Sequence, residues 1–247
     1  MLSVGQFIKN NYIIDWIVII GVTAVGAILY NSDYFDRSFS QLQSDVSLPE
    51  KTITITSTGL YVTTYAFGGF LVFSIWSIVR KEGALRVLVA YYFCISITFA
   101  SSSLLMKLIR RPGPDTEAVC GSGLYEDCKK ILNKAKLSEQ FKSTPSDFAA
   151  ESMASGLFIS LLLCKIWKES CLYSAVVKFA PIFLSLLVGC SCIWDRRNRP
   201  DDVALGFIIG FVYAFCAFKF FVVALEKEKP NNPLGTSIIS NAVKRYV

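Results

Sequence analysis

The sequence predicts an all-α integral membrane protein, a bundle of six transmembrane helices. Three observations predict it. Of the 247 residues, 53% are hydrophobic and 18% charged, where a soluble domain carries about 25% charge. Mean hydropathy is +0.47. Six apolar runs, at about 12–30, 59–79, 85–106, 149–167, 172–194 and 203–225, approach the roughly 20 residues that cross a bilayer. The runs take up about half of the chain, which leaves no room for a soluble domain of ordinary size. Residues 1–247 therefore read as one six-span membrane domain.

The first eleven residues hold one cation, Lys9. The run that follows is too long for a signal-peptide core and has no clear small-residue cleavage site, so 12–30 reads as a retained first span. The loop 31–58 carries Arg37 and Lys51 against four acids. Arg80, Lys81 and Arg86 follow the second span, Lys165 and Lys168 the fourth, and Lys227, Lys229, Lys244 and Arg245 the sixth. The positive-inside rule then places these ends, and both termini, in the cytosol. The loop 107–148, with eight cations and six acids, runs against that rule. Its stretch 126–142 reads as a short amphipathic helix, with Ile131, Leu132, Ala135 and Leu137 against the membrane surface or the bundle. A solvated helical loop is the competing reading.

Cys120 and Cys128 lie in that loop, on the side assigned as lumenal or extracellular, where disulfides persist. A bridge and two free thiols are both open. Cys94, Cys164, Cys190, Cys192 and Cys216 fall in or beside spans and read as small apolar residues. Their spacing suggests no zinc site, and no metal or cofactor is expected. Cys190 and Arg196 have the C-x5-R spacing of cysteine phosphatases, but the residues between them read as the end of an apolar helix. Gly206-x3-Gly210 allows close helix approach, read as internal packing. Asp15 and Lys219 lie near span ends, and polar residues nearer the midplane look too few for a transport path. Lys244-Arg245-Tyr246-Val247 reads either as a dibasic endoplasmic reticulum retrieval signal or as a chance basic tail.

The chain contains no histidine. That excludes a Ser-His-Asp triad, a His-ligated metal, a His general base and a phosphohistidine intermediate. The charge that is present gathers in three clusters. Lys107, Arg110, Arg111, Pro112, Gly113 and Asp115 follow span three; Ser143–Asp147 open span four; Asp195–Asp202 join spans five and six. Spans alternate in direction, so these junctions share one membrane face. Six cations, Lys107, Arg110, Arg111, Arg196, Arg197 and Arg199, can converge there. Guanidinium forks match phosphate oxygens, and the start of span four adds backbone donors. Interfacial anchors paired with Asp195, Asp201 and Asp202 are the alternative.

With these clusters the chain resembles the type 2 phosphatidic acid phosphatases, or lipid phosphate phosphatases. Their blocks K-x6-R-P, P-S-G-H and S-R-x5-H-x3-D fall after span three, before span four and between spans five and six. Tyr12-Ile-Ile-Asp15-Trp16, Phe35-Asp-Arg37-Ser-Phe39, Lys142-Ser-Thr-Pro-Ser146 and Asp202-Val203 also resemble fungal and plant members. The resemblance implies the six-helix phosphatidic acid phosphatase type 2 / haloperoxidase fold. It implies a second-block histidine as general acid, a third-block histidine as nucleophile, and an aspartate that orients the nucleophile. Lys107 matches the first lysine; after six intervening residues lies Pro114, so either one residue is deleted at Gly113 or Arg111-Pro112 stands in. Ser146, Ser191 and Asp202 are kept, while glycine becomes Asp147, the acid Phe148, the arginine Cys192 and the nucleophile Asn198.

An amide is a poor nucleophile and a phenyl ring donates no proton. Asp147 brings negative charge toward a phosphate, opposing the stabilisation that phosphoryl transfer needs. The expectation is a catalytically degenerate pseudophosphatase with no intact catalytic residue at Phe148, Asn198 and Asp202. It is expected to bind phosphatidate or other lipid phosphate head groups through Lys107, Arg110, Arg111, Ser146, Ser191, Arg196, Arg197 and Arg199. A structural or regulatory subunit of an endoplasmic reticulum membrane complex, partnering another membrane protein, is the alternative. A residual phosphatidate-type phosphatase is the third reading; nothing points to nucleic acid. The site is expected on the lumenal face.

Overall fold

The structure, a computed structural model, describes residues 12–31, 55–79, 83–121, 125–168 and 171–223. Arg37, Lys51, the Phe35–Phe39 motif, Arg80, Lys81, the tail cations and the dibasic C-terminus lie outside the described residues. Six helices are long and apolar enough to cross a membrane: α1 (Ile13–Asn31), α2 (Ser57–Val79), α3 (Ala84–Ile109), α7 (Asp147–Ile166), α8 (Leu172–Trp194) and α9 (Pro200–Val223). Three short helices, α4 (Thr116–Cys120), α5 (Tyr125–Ile131) and α6 (Lys134–Gln140), fill the connection between α3 and α7.

Polar caps upstream of the apolar runs set where the helices begin. The Thr56 hydroxyl accepts from the Gly59 amide (3.1 Å) at α2, and Ser146 accepts from Ala149 (3.4 Å) at α7. At α9, Pro200 takes the first position, where its missing N–H costs nothing, and Asp202 Oδ2 accepts from the Arg199 amide (3.1 Å). α7 and α9 therefore start upstream of the predicted 149 and 203, which puts Asp147, Phe148 and Asp202 inside first helical turns. α3 likewise runs past 106, so Lys107 is helical.

α7 is the central helix, with α2, α3, α8 and α9 packed around it. Its small residues permit this. A Cβ at Gly206 or Gly210 of α9 would collide with the backbone carbonyls of Ser146 and Ala150, so the glycine pair is an internal contact between α9 and α7. α1 and α8 stand at the periphery and present Ile14, Ile17, Phe179 and Phe183 outward, as a lipid-facing helix must.

Two stretches, Val62–Gly68 in α2 and Phe218–Val223 in α9, adopt π-helical hydrogen bonding. Each offers a carbonyl to a neighbouring donor. Tyr91 Oη donates to Thr64 O (2.5 Å) and Tyr92 Oη to Tyr65 O (2.9 Å). Lys165 Nζ donates to Val222 O (3.2 Å). Carbonyls displaced from the regular ladder are thereby satisfied in a region without water.

The stretch 126–142 is two helices rather than one. The Asn133 side chain accepts from the Lys136 amide (3.0 Å), capping α6 and ending α5 before it. A disulfide joins Cys120 and Cys128. Around it pack buried Leu137 and Phe141, while Ile131 is exposed.

Candidate functional site

The three polar clusters meet at Asp202. Its carboxylate has no exposed surface and accepts from one partner in each connection. Arg111 Nη1 (2.9 Å) comes from the segment after α3; Ser143 Oγ (2.5 Å) and Thr144 Oγ1 come from the segment before α7. The Arg199 amide is the fourth donor, and the Asp202 carbonyl accepts from the Ser146 amide (3.0 Å). Arg111 also pairs with Asp201. Burial works against the charge on Arg111, but the two aspartates outweigh it and hold its proton affinity above the ordinary arginine value. Arg199 Nη1 donates to Pro112 O (3.1 Å), a second strap between the first and third clusters.

Asn198 stands beside this network. Its Nδ2 donates to Ser143 O (2.6 Å), and its Oδ1 accepts from Ser146 Oγ (3.3 Å). Asp202 makes no bond to it, so the aspartate that would orient a nucleophile instead ties loops together. Phe148 is 2% exposed and packs with Leu60, Ala149, Cys192 and Val203. The Arg197 guanidinium lies 4.4 Å from its ring centroid, a cation–π contact.

A cavity of about 380 Å³ opens next to these residues, between the α3–α7 connection and the start of α7. Lys142, Asp147, Asp195, Arg197 and Asn198 line it, and Lys136, Glu139 and Gln140 of α6 close over it. Lys142 Nζ donates to Tyr30 O (2.7 Å) and sits 3.6 Å above the Tyr30 ring. Burial lowers the Lys142 proton affinity below the usual ammonium range, against the pull of Asp147 and Glu139.

Of the residues singled out in the sequence, Gly113, Asp115, Lys142, Asp147, Asp195, Arg197 and Asn198 line the cavity. Arg111, Arg199 and Asp202 belong to the adjoining network. Arg110, in a left-handed conformation after α3, is buried and turns its Nε to Lys107 O (3.3 Å). Ser191 bonds within its own helix to Val188 O (2.7 Å), Cys192 is buried, and Arg196 has a left-handed backbone. Of the six cations expected to converge, Arg197 alone reaches the cavity wall. Cys190 is inside α8, whose amides bond within the helix, so the C-x5-R spacing makes no anion nest.

Glu151 escaped the sequence reading. It is fully buried in α7, one turn beyond Asp147, and neither carboxylate oxygen has a hydrogen-bond partner among the described residues. An acid four residues after Asp147 within an apolar span was the available signal. For the acceptor role of Asp202 toward Ser143 and Thr144 the sequence carries none. Among the described residues no group of three or more His, Cys, Asp and Glu side chains gathers as a metal site requires.

Residues 85–225 match the family model of the PAP2 superfamily. A protein of Schizosaccharomyces pombe described as a probable diacylglycerol pyrophosphate phosphatase 1 is 27% identical over 130 residues, which span 47% of each chain. The diacylglycerol pyrophosphate phosphatase 1 of Saccharomyces cerevisiae is 24% identical over 225 residues, 83% of this chain and 78% of that one. A probable lipid phosphate phosphatase 4 of Arabidopsis thaliana is 24% identical over 234 residues, 89% and 76% of the two chains. No solved structure matches.

Proposed function

The chain belongs to the PAP2 superfamily, an integral membrane family of helical bundles, and from that premise we propose that it is a pseudophosphatase whose cavity binds the phosphate of a phospholipid head group. The state of Asn198 carries this reading. At the nucleophile's place stands an amide with both polar atoms bonded to backbone or serine, away from Asp202. At the acid's place stands Phe148, buried in an apolar cluster. Neither side chain can form a phosphoryl bond or protonate a leaving alkoxide. Lys142 and Arg197 remain on the cavity wall as phosphate partners.

Arg86, Lys165 and Lys168 lie at the ends of α3 and α7 away from the cavity. We assign those ends to the cytosol and the cavity to the lumenal face of the endoplasmic reticulum. A second reading, a structural or regulatory subunit, is favoured by one observation: Arg111 already neutralises Asp201 and Asp202, so part of the basic cluster serves the fold.

The test is phosphate release by purified, reconstituted protein from phosphatidate, lysophosphatidate and diacylglycerol pyrophosphate. The expected result is none above protein-free vesicles. Turnover on the order of 1 per second, ordinary for an enzyme, would overturn the reading. A variant combining Asp147→Gly, Phe148→His, Cys192→Arg and Asn198→His supplies the comparison and is expected to regain measurable release.

A further inference from the structure

The cavity wall is short of positive charge for a phosphate. Among the described residues three cations line it, Lys136, Lys142 and Arg197, against four carboxyls, Asp115, Glu139, Asp147 and Asp195. Lys136 and Glu139 are exposed on α6, where solvent screens both. Lys142 and Arg197 are the phosphate partners, and Asp147 lies in the field of both. Glu151, one helical turn beyond Asp147 and without exposed surface, adds a further carboxyl behind the wall. Tyr30 of α1 lines the cavity, and Tyr61 of α2 and Cys192 of α8 lie within range of the Asp147 charge; none of the three brings a positive charge.

Asp147 also takes a donor that an anion would use. Its Oδ1 accepts from the Phe148 amide (2.9 Å), a first-turn donor of α7 with no carbonyl partner in its own helix and open to an incoming anion in its place. A fully ionised phosphate brought against this carboxylate has no hydrogen to offer, so acceptor meets acceptor and like charges repel. One proton between the two oxygens reverses that contact. It becomes an O–H···O⁻ hydrogen bond, among the strong charge-assisted kind, and one negative charge leaves the cavity.

Resting on the head-group reading above, we propose that Asp147 is a specificity-determining residue of the cavity: it admits a phosphate head group only together with one proton, shared between its carboxylate and a phosphate oxygen, while Lys142 and Arg197 hold the other oxygens. A phosphodiester carries no proton in the neutral range, so solvent supplies it to the carboxylate. A phosphate monoester brings it on its own oxygen up to a second pKa of about 6 and takes it from solvent above that value. The chain has no histidine, so no imidazole takes up a proton in this range.

The test measures equilibrium binding of short-chain phosphatidylglycerol, a diester, and short-chain phosphatidate, a monoester, to the purified full chain in neutral detergent as pH rises. Uptake of one proton makes both affinities fall about tenfold per pH unit above about pH 6. For phosphatidate that fall opposes simple charge attraction, since the lipid gains negative charge over the same range. In Asp147→Asn, whose amide donates an N–H where the shared proton would sit, and in Asp147→Gly, which removes the carboxylate, phosphatidylglycerol affinity is expected to stay level. The wild-type slopes need no variant. A level phosphatidylglycerol curve in the wild type, or phosphatidate binding that tightens as pH rises, overturns the proposal and leaves the head-group reading standing. So does a slope that survives in the variants, which would give the proton to Lys142 or to another carboxyl of the wall. Neither lipid bound at any pH, by wild type or variants, overturns both.

Discussion

Asp202 and Asp201 are neighbours in sequence and bond the same arginine, yet they are predicted to differ widely in importance. Asp202 is fully buried and serves as acceptor for Arg111, Ser143, Thr144 and the Arg199 amide. Asp202→Ala would strand two buried hydroxyls and the Arg199 amide and leave Arg111 with Asp201 alone, a loss of about 3–5 kcal/mol. Asp201, 61% exposed, reaches Arg111 from the solvent side, and exposed pairs are worth about 1 kcal/mol or less. Thermal unfolding in detergent should therefore separate a severe Asp202→Ala from a mild Asp201→Ala. Lys142 offers a test of sign. Its folded-state proton affinity is depressed, chiefly by burial, so the unfolded chain binds the proton more tightly and unfolding takes one up. Stability should rise as pH climbs through the window just below the ordinary lysine value of 10.5. In Lys142→Met that increment should disappear from the unfolding free energy plotted against pH.

Among helices, the contact of α7 with α9 is the most extensive. At Gly210 a side chain would run into the Ala150 carbonyl and the Ala154 amide, backbone atoms that cannot swing aside. Gly210→Leu is predicted to cost at least about 3 kcal/mol by overpacking, seen as loss of the monodisperse peak in size-exclusion chromatography. Gly21 of α1 has nothing within 4 Å of the space a Cβ would fill, so Gly21→Ala should be neutral or stabilise by up to about 1 kcal/mol. The six spans were legible because each is a run of apolar residues long enough to cross a bilayer, and α8 matches its predicted bounds. Helix starts were not, because first turns hold capping and charged residues that an apolar count passes over, as Asp147 in α7 and Pro200–Asp202 in α9 illustrate. The π-helical stretch in α2 was also beyond reach: it depends on hydroxyls of Tyr91 and Tyr92 arriving from α3. The break before α6 had a signal in Asn133, a residue that favours helix N-caps.

For the whole bundle, counting alternate spans was enough to bring the polar junctions to one end, where Asp202 joins them. Which side chains would bond there depended on depth and rotation about each helix, and neither is written in span order. That is why Arg197 alone of the six cations reaches the cavity and why Glu151 was passed over. The opposite end carries Cys171, half-exposed between α7 and α8 and three residues after Lys168. α7 separates Cys171 from the bridged pair Cys120–Cys128 by its full length, Asp147–Ile166, which at about 1.5 Å per residue matches a bilayer core of about 30 Å. Orientation can thus be read chemically from two variants, one keeping Cys171 as its only cysteine and one keeping only Cys120 and Cys128. In sealed microsomes a membrane-impermeant maleimide should label the first at once. The second should label only after the membrane is opened and the disulfide reduced, because an oxidising lumen preserves the bridge. Labelling of Cys120 and Cys128 in sealed vesicles, with Cys171 protected, would invert the assignment and put the cavity against the cytosolic leaflet. The head group it meets would then come from that leaflet, so the labelling result also fixes which lipids the cavity can sample.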